Sequence, residues 1–167
     1  MTEIDSLPLC DVSFQEEKWA PFRKDIMRLL PQTINAVRNC FPSFSGVGHI
    51  DIILADNEFV QDLNYRYRGK NRPTNVLSFP QGDFKKGAEV PEDEFVLLGD
   101  IAMAYDVIAV EAKKEEKTFL DHFCHLLVHG CLHLLGFDHE TDEDQEEMES
   151  LEVKILSTIN IANPYET

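Results

Sequence analysis

Three histidines and one glycine stand at a fixed spacing near the C-terminal end of the chain, in the pattern His-x3-His-x2-Gly-x2-His from His129 to His139. A spacing of four residues places His129 and His133 on one face of a helix, about one turn apart. Gly136 can end that helix in the left-handed conformation, so that His139 turns back toward the same point. Three imidazoles that converge in this way predict one Zn²⁺ per chain with its fourth position open, as is typical of catalytic zinc sites.

Two residues beside these histidines are candidates for a supporting role. His125 lies one turn before His129, but about 12 Å of helix rise separates it from His133, so the three cannot share one ion. We expect His125 to pack beside the site or to orient one of the metal-binding histidines without contacting the metal. Asp138, which directly precedes His139, is the second candidate.

The same histidine spacing occurs in the metzincin zinc peptidases, with one difference. In those enzymes a glutamate follows the first histidine and acts as the general base. Here that position is Gly130, so ordinary peptidase chemistry lacks its base. A glycine inside a helix costs about 1 kcal/mol relative to alanine. We expect it to serve either close packing or space for a substrate above the metal.

Hydrophobic periodicity alternates between strand and helix patterns along the chain. Four strands are predicted, at residues 9–14, 49–55, 75–79 and 95–103. Five helices are predicted, at residues 18–40, 56–67, 105–117 and 120–135 and from Thr141 onward, with Pro31 marking a kink or break in the first. Gly99-Asp100 is either a strand bulge that aims a carboxylate at the metal or a structural kink. The polar residues 82–94 are expected to form a mobile surface loop.

Strands interleaved with helices predict an α/β or α+β fold. A length of 167 residues suits one domain with one core, spanning residues 1–167. No stretch approaches the roughly 18 apolar residues of a membrane helix, and the first ten residues lack the features of a secretory signal. The four cysteines form no Cys-x-x-Cys pair, so we expect reduced, core-filling thiols and a cytoplasmic location.

Charge is unevenly distributed along the chain. The formal net charge of −16 argues against general binding to nucleic acid, whose phosphates attract basic surfaces. Residues 142–152 include seven acids, which predict a solvated helix face or a contact with a basic protein. Residues 64–72, by contrast, carry no acid and four basic side chains: Arg66, Arg68, Lys70 and Arg72.

Three sequence blocks together resemble the bacterial YbeY family of metal-dependent endoribonucleases. They are HGCLHLLGFDH at residues 129–139, YRGKNRPTNVLSFP at residues 67–80 and LGDI at residues 98–101. The blocks stand in the family's order and, with the helices between them, cover roughly residues 50–160. The third block would be weak evidence alone, but the first two are specific.

The resemblance implies a single α/β domain with a small mixed sheet and Zn²⁺ on His129, His133 and His139. It also implies a role in ribosomal RNA maturation, especially at the 3′ end of 16S rRNA, and in ribosome quality control. Arg68 matches an arginine that serves catalysis or RNA contact in the family, and Arg72 keeps a basic charge found near that position. The implied partners are single-stranded ribosomal RNA and the ribosome or its small-subunit proteins.

On this basis Arg68 is expected to grip a phosphate oxygen and offset developing charge. Arg66, Lys70 and Arg72 are expected to follow the RNA backbone. The general base stays open among Asp138, His125 and an RNA 2′-hydroxyl. Two other functions also stay open: a zinc peptidase without the usual glutamate, and a non-catalytic ribosome assembly factor that zinc merely stabilises.

Overall fold

The structure is a computed structural model of the chain, and it describes residues 3–6, 9–41, 47–81 and 95–166. The strands in these ranges are β1 (Glu3–Ser6), β2 (Cys10–Phe14), β3 (Val47–Ala55), β4 (Val76–Pro80) and β5 (Phe95–Ala104). The helices are a 3₁₀ helix (Glu17–Phe22), α1 (Arg23–Asn39), α2 (Asn57–Arg68), α3 (Tyr105–Lys114), α4 (Phe119–Leu134) and α5 (Asp142–Ser157). The loop predicted at residues 82–94 lies outside the described residues.

The strands form one mixed sheet in the order β1-β2-β3-β5-β4. Its three central strands, β2, β3 and β5, are parallel, whereas β1 and β4 pair antiparallel at the two edges. The four predicted strands are therefore present, and β1 adds a fifth that the periodicity did not indicate. The α+β class with a small mixed sheet is confirmed.

One face of the sheet packs against α1 and α4 and forms the main core. Val12, Ile52 and Ile101 on the strands are buried together with Phe123 and Leu127 of α4. Most residues of α4 are buried, because this helix is apolar almost all round. The helix that carries the histidine motif is thus central to the fold, and its position is fixed from several sides.

The opposite face of the sheet is partly covered by α2. Val60 of this helix is fully buried beside Ala55, Leu77 and Ala102 of the strands. Asp56 caps the helix, because its Oδ1 accepts a hydrogen bond of 2.8 Å from the backbone N–H of Phe59. This packing brings the basic C-terminal end of α2 next to strand β4.

The first predicted helix is divided, but not at Pro31. The chain changes from the 3₁₀ helix (Glu17–Phe22) to α1 at Arg23, and α1 then continues through Pro31. Buried side chains on both sides of the proline hold α1 against the core, and they outweigh the one hydrogen bond that proline cannot donate. These side chains are Ile26, Leu30, Ile34 and Val37.

Strand β5 contains a bulge at Gly99, which agrees with one of the two predictions for Gly99-Asp100. His49 of β3 faces Leu97 and the next residue of β3 faces Gly99, so one residue of β5 is extra. The carboxylate of Asp100 does not point toward the histidines. It accepts a hydrogen bond of 3.1 Å from Gln81 and lies beside Asp51, which is opposite it on β3.

The cysteines agree with a further prediction. All four cysteines are free, and Cys10, Cys124 and Cys131 are buried. Burial raises the pKa of the Cys124 thiol to about 11, so it packs as an uncharged side chain. Within the described ranges, no helix combines the length and the apolar character needed to cross a bilayer.

Candidate metal centre and basic cavity

Helix α4 and the turn that follows it position the three histidines. The helix is capped by Thr118, whose Oγ1 accepts a hydrogen bond of 3.1 Å from the N–H of Asp121. Its end is closed by Gly136, which has a φ of +95°, and by a hydrogen bond of 3.0 Å from the N–H of Phe137 to the carbonyl of Leu132. The predicted reversal at Gly136 is present, and it carries the chain back toward the helix.

The three imidazole rings converge on one point. Nε2 of His129 lies 3.1 Å from Nε2 of His133, and each of the three residues offers a ring nitrogen within 4.8 Å of the others. Two nitrogens bound to one tetrahedral Zn²⁺ lie about 3.3 Å apart, given bonds of about 2.0–2.1 Å. The separation of His129 and His133 therefore fits ligands of one ion, and His139, the exposed member of the three, offers a ring nitrogen within 4.8 Å of theirs.

The protonation state of His133 suits a metal ligand. Burial lowers its pKa, and the neighbouring His129 and His139 lower it further, to about 4. His133 is therefore neutral near pH 7, with a lone pair on one ring nitrogen. A ligand in this state does not have to lose a proton before it binds a metal.

The carboxylate of Glu152, which was not among the predicted site residues, lies behind His129. Glu152 of α5 is 0% exposed, and its Oε2 lies 2.8 Å from Nδ1 of His129. Its other oxygen, Oε1, lies 2.6 Å from Nε2 of His125 and accepts a hydrogen bond of 2.5 Å from the hydroxyl of Tyr165. Burial alone would raise the pKa of Glu152, but the hydrogen bonds from His125, His129 and Tyr165 lower it to about 2.

A signal for Glu152 was present in the sequence. Met148, Leu151 and Ile155 define the apolar stripe of α5, and Glu152 stands one turn after Met148 and within that stripe. A carboxylate on the buried face of a helix requires hydrogen-bonding partners. Glu152 therefore differs from the exposed acids around it in residues 142–152, although the local composition is the same.

The two predicted supporting residues occupy different places. His125 is buried and contacts Glu152, so it lies behind His129 rather than in the open part of the site. Asp138 is exposed, and its Oδ1 accepts a hydrogen bond of 2.8 Å from the N–H of His139. Of these two candidate bases, only Asp138 lines the cavity described next.

A cavity of about 590 Å³ joins the histidines to the basic segment. Its walls include all three histidines and three of the four predicted basic residues, namely Arg68, Lys70 and Arg72. Arg68 is held in place by a hydrogen bond of 3.1 Å from its Nη2 to the carbonyl of Ser78. Arg66 lies outside these walls and pairs with Asp62 one turn earlier on α2, with Nε 3.1 Å from Oδ2.

Gly130 lets α4 approach the sheet closely. A Cβ at this position would lie 3.1 Å from Cδ1 of Ile101 and 3.1 Å from Oγ of Ser78. The Ser78 hydroxyl also donates a hydrogen bond of 3.1 Å to the carbonyl of Gly130. Of the two roles expected for this glycine, these contacts support close packing.

Comparison with known proteins gives a consistent result. The family model described as "Endoribonuclease YbeY" matches residues 11–160. A protein named "Endoribonuclease YbeY" from Paramagnetospirillum magneticum is 49% identical over 120 residues, which are 72% of this chain and 73% of the relative. Another of that name from Nitrobacter hamburgensis is 39% identical over 160 residues, which are 96% of this chain and 83% of the relative.

One solved structure is similar in fold. It is a solution structure of a Thermotoga maritima protein, with a TM-score of 0.53 and 21% sequence identity. The match covers 95% of this chain and 96% of the other. At this identity the likeness supports the fold alone, whereas the sequence relatives confirm the resemblance drawn from the three blocks.

Proposed function

Because the chain belongs to the YbeY endoribonuclease family, we propose that it cleaves single-stranded RNA at the cavity shared by the three histidines and Arg68. The observation that carries the proposal is that the three histidines and Arg68 line the same cavity. The ring nitrogens that suit a metal and the guanidinium that suits a phosphate line one cavity. A metal ion and a cationic phosphate clamp in one cavity are two established means of stabilising the transition state of phosphodiester hydrolysis.

The proposed ligands are His129, His133 and His139, with one Zn²⁺ per chain. Neutral imidazoles are good zinc ligands, although nickel, copper and iron also accept them. When bound, the ion supplies Lewis-acid chemistry toward a phosphoryl oxygen or toward water. Three protein ligands leave room for a further one, which favours a catalytic over a purely structural role.

The proposed role of Arg68 is to hold a phosphate oxygen and to offset the negative charge that develops during cleavage. Its planar guanidinium has several N–H donors, of which one is used by the carbonyl of Ser78. Lys70 and Arg72, on the same cavity wall, are proposed to guide the RNA backbone toward it. Arg66 is proposed to contribute only through its charge, since it faces Asp62 outside the cavity.

The proposed substrate within the cell is ribosomal RNA near the 3′ end of the 16S molecule, and the proposed location is the cytoplasm. The ribosome or its small-subunit proteins are the proposed partners. A chain with a net charge of −16 repels RNA over most of its surface. We therefore expect RNA to approach along the cavity wall that carries Arg68, Lys70 and Arg72. This combination favours recognition of a short exposed strand over general RNA binding.

The proposal is tested by following cleavage of a labelled single-stranded RNA and of the same strand within a duplex. The parent chain is compared before and after chelation and after return of Zn²⁺, with His133→Ala purified in parallel as the control for contaminating nucleases. We expect cleavage of the single strand only, loss on chelation and recovery with zinc. Cleavage by His133→Ala at the parental rate would contradict the proposal, and a folded, zinc-loaded parent without activity would favour the assembly-factor alternative.

A further inference from the structure

Glu152 connects the candidate metal ligand His129 to two groups that lie outside the cavity. We propose that Glu152 is a positioning residue, which fixes the tautomer of His129 and so sets the affinity of the site for its metal. The inference rests on the proposed function, because it assumes that His129 is a ligand. It goes further by assigning a role to Glu152, His125 and Tyr165.

The tautomer follows from the chemistry of the carboxylate. An ionised carboxylate accepts hydrogen bonds and cannot donate them. Nδ1 of His129, at 2.8 Å from Oε2 of Glu152, must therefore carry the hydrogen. The lone pair of the neutral ring is then on Nε2, the atom that lies 3.1 Å from Nε2 of His133 in the proposed site.

The orientation of the Glu152 carboxylate is fixed from its other side. Oε1 accepts from the Tyr165 hydroxyl and lies 2.6 Å from Nε2 of His125, which also donates since the carboxylate cannot. Both oxygens are thus engaged, and rotation of the carboxylate would break at least two hydrogen bonds. Tyr165 is itself held, because Lys117 Nζ donates a hydrogen bond of 2.8 Å to the carbonyl of Pro164.

A purely structural role does not explain this arrangement well. Burying a carboxylate costs free energy that the three hydrogen bonds here must offset, whereas an apolar residue in the stripe of α5 would need no such partners. Hydrogen bonds of this kind behind a metal-bound histidine orient the ring and raise its basicity. Glu152 has the geometry for both effects, although it lies on a different helix from the histidines.

The first test needs no substitution. Long-range proton–nitrogen correlation spectra of the histidine side chains, recorded on the metal-free parent at pH 8, report which nitrogen carries hydrogen. We expect His129 to be protonated at Nδ1, and to bind Zn²⁺ through Nε2 when the metal is added. A metal-free His129 protonated at Nε2, or one that binds zinc through Nδ1, would overturn the proposal.

The second test measures zinc affinity by competition with a chromophoric chelator in the parent, Glu152→Gln and Glu149→Gln. The amide of Glu152→Gln can present N–H groups as well as oxygen to His129, so the preference for the Nδ1 hydrogen is lost. We expect roughly 10- to 100-fold weaker binding and a mixed tautomer in this variant. Glu149→Gln removes the same charge one turn earlier on α5, and among the described residues Glu149 makes no hydrogen bond to a histidine, so we expect parental affinity.

Two results of the second test would contradict the proposal: parental affinity in Glu152→Gln, or an equal loss in Glu149→Gln, which would indicate a general charge effect. If Glu152→Gln does not fold, the tautomer of His129 in the parent chain still tests the proposal. A separate result would show that the three histidines are not the zinc site. In that case His133→Ala retains one tightly bound zinc per chain, whatever the tautomer of His129.

Discussion

Nη2 of Arg68 donates a hydrogen bond of 3.1 Å to the backbone carbonyl of Ser78, which ties the end of α2 to strand β4 on the wall of the candidate site. The bond uses one part of the guanidinium and keeps the side chain on the wall of the cavity, where its remaining donors are available for the proposed contact with a phosphate. A side chain anchored in this way loses less conformational freedom when it binds a phosphate, because its orientation is already set.

Replacement of Arg68 by alanine is therefore expected to lower the rate constant for cleavage of bound single-stranded RNA by roughly 10²- to 10³-fold, the effect typical of losing one donor to a transition-state charge. Single-turnover cleavage at saturating enzyme measures the effect. Arg66→Ala is the matched control, since it removes the same charge two residues away, from a side chain that pairs with Asp62. Equal rates for Arg68→Ala and the parent would remove Arg68 from the chemistry.

Zinc is expected to stabilise the metal-free chain against heat. A ligand that binds only the folded state adds about 2.7 kcal/mol when its concentration is 100 times its Kd. For a chain of this size that corresponds to a rise of roughly 5–10 °C in Tm. Calorimetry with and without Zn²⁺ measures the rise, and His133→Ala is expected to abolish it. An unchanged rise in that variant would show that zinc binds elsewhere.

The histidine motif could be predicted from sequence because its geometry is local. His129, His133 and His139 lie within one helix and one turn, so helix periodicity and a single glycine suffice to bring them together. Arg68 is different, since its place beside the histidines depends on α2 packing across the sheet from α4. Only the resemblance to a known family connected that arginine with the site.

Strand β1 and the burial of Glu152 were not predicted, because the sequence around each carries little indication of it. Strand β1 has four residues at the edge of the sheet, and so short a segment shows too little alternation to be recognised. Glu152 lies 23 residues beyond His129 among many acids, and its burial depends on how α5 docks onto α4. Tertiary packing decided both outcomes, and periodicity does not encode packing between elements.

Gly99 is expected to be one of the least replaceable residues in the sheet. Its φ is +148°, and a Cβ would lie only 2.3 Å from the carbonyl oxygen of Phe79, which is backbone and cannot move aside easily. Gly99→Ala should destabilise the fold by about 3 kcal/mol, measured by urea unfolding. Gly69→Ala is the comparison, because φ is +68° there but nothing lies within 4 Å of the added Cβ.

For Gly69→Ala we expect a loss of about 1 kcal/mol, the strain of a left-handed residue without any overlap. Equal losses in the two variants would mean that the bulge in β5 relaxes around the new methyl group. That result would contradict the close approach of Phe79 as the reason for a glycine at position 99.

Asp100 and Asp51 give a prediction about pH. They lie opposite each other on adjacent strands, and Asp11 is opposite Asp51 on the next strand, so three carboxylates form one row across the sheet. Burial raises the pKa of Asp100, and the charge of Asp51 raises it further, although a hydrogen bond from Gln81 opposes both. The folded state therefore binds the Asp100 proton more tightly than the unfolded state does.

It follows that ionisation of Asp100 reduces stability as pH rises from its unfolded pKa through its raised folded pKa. Asp100→Asn removes the penalty, and its amide can still interact with both Gln81 and Asp51. We expect the variant to be more stable than the parent at pH 7 by about 0.5 kcal/mol, the size of a cross-strand pair. The gain should shrink as pH falls toward 3.8, the ordinary pKa of the group, and disappear well below it, where Asp100 is fully protonated in both states. Urea unfolding at several pH values measures this difference, and a gain that persists unchanged in acid would show that charge is not its cause.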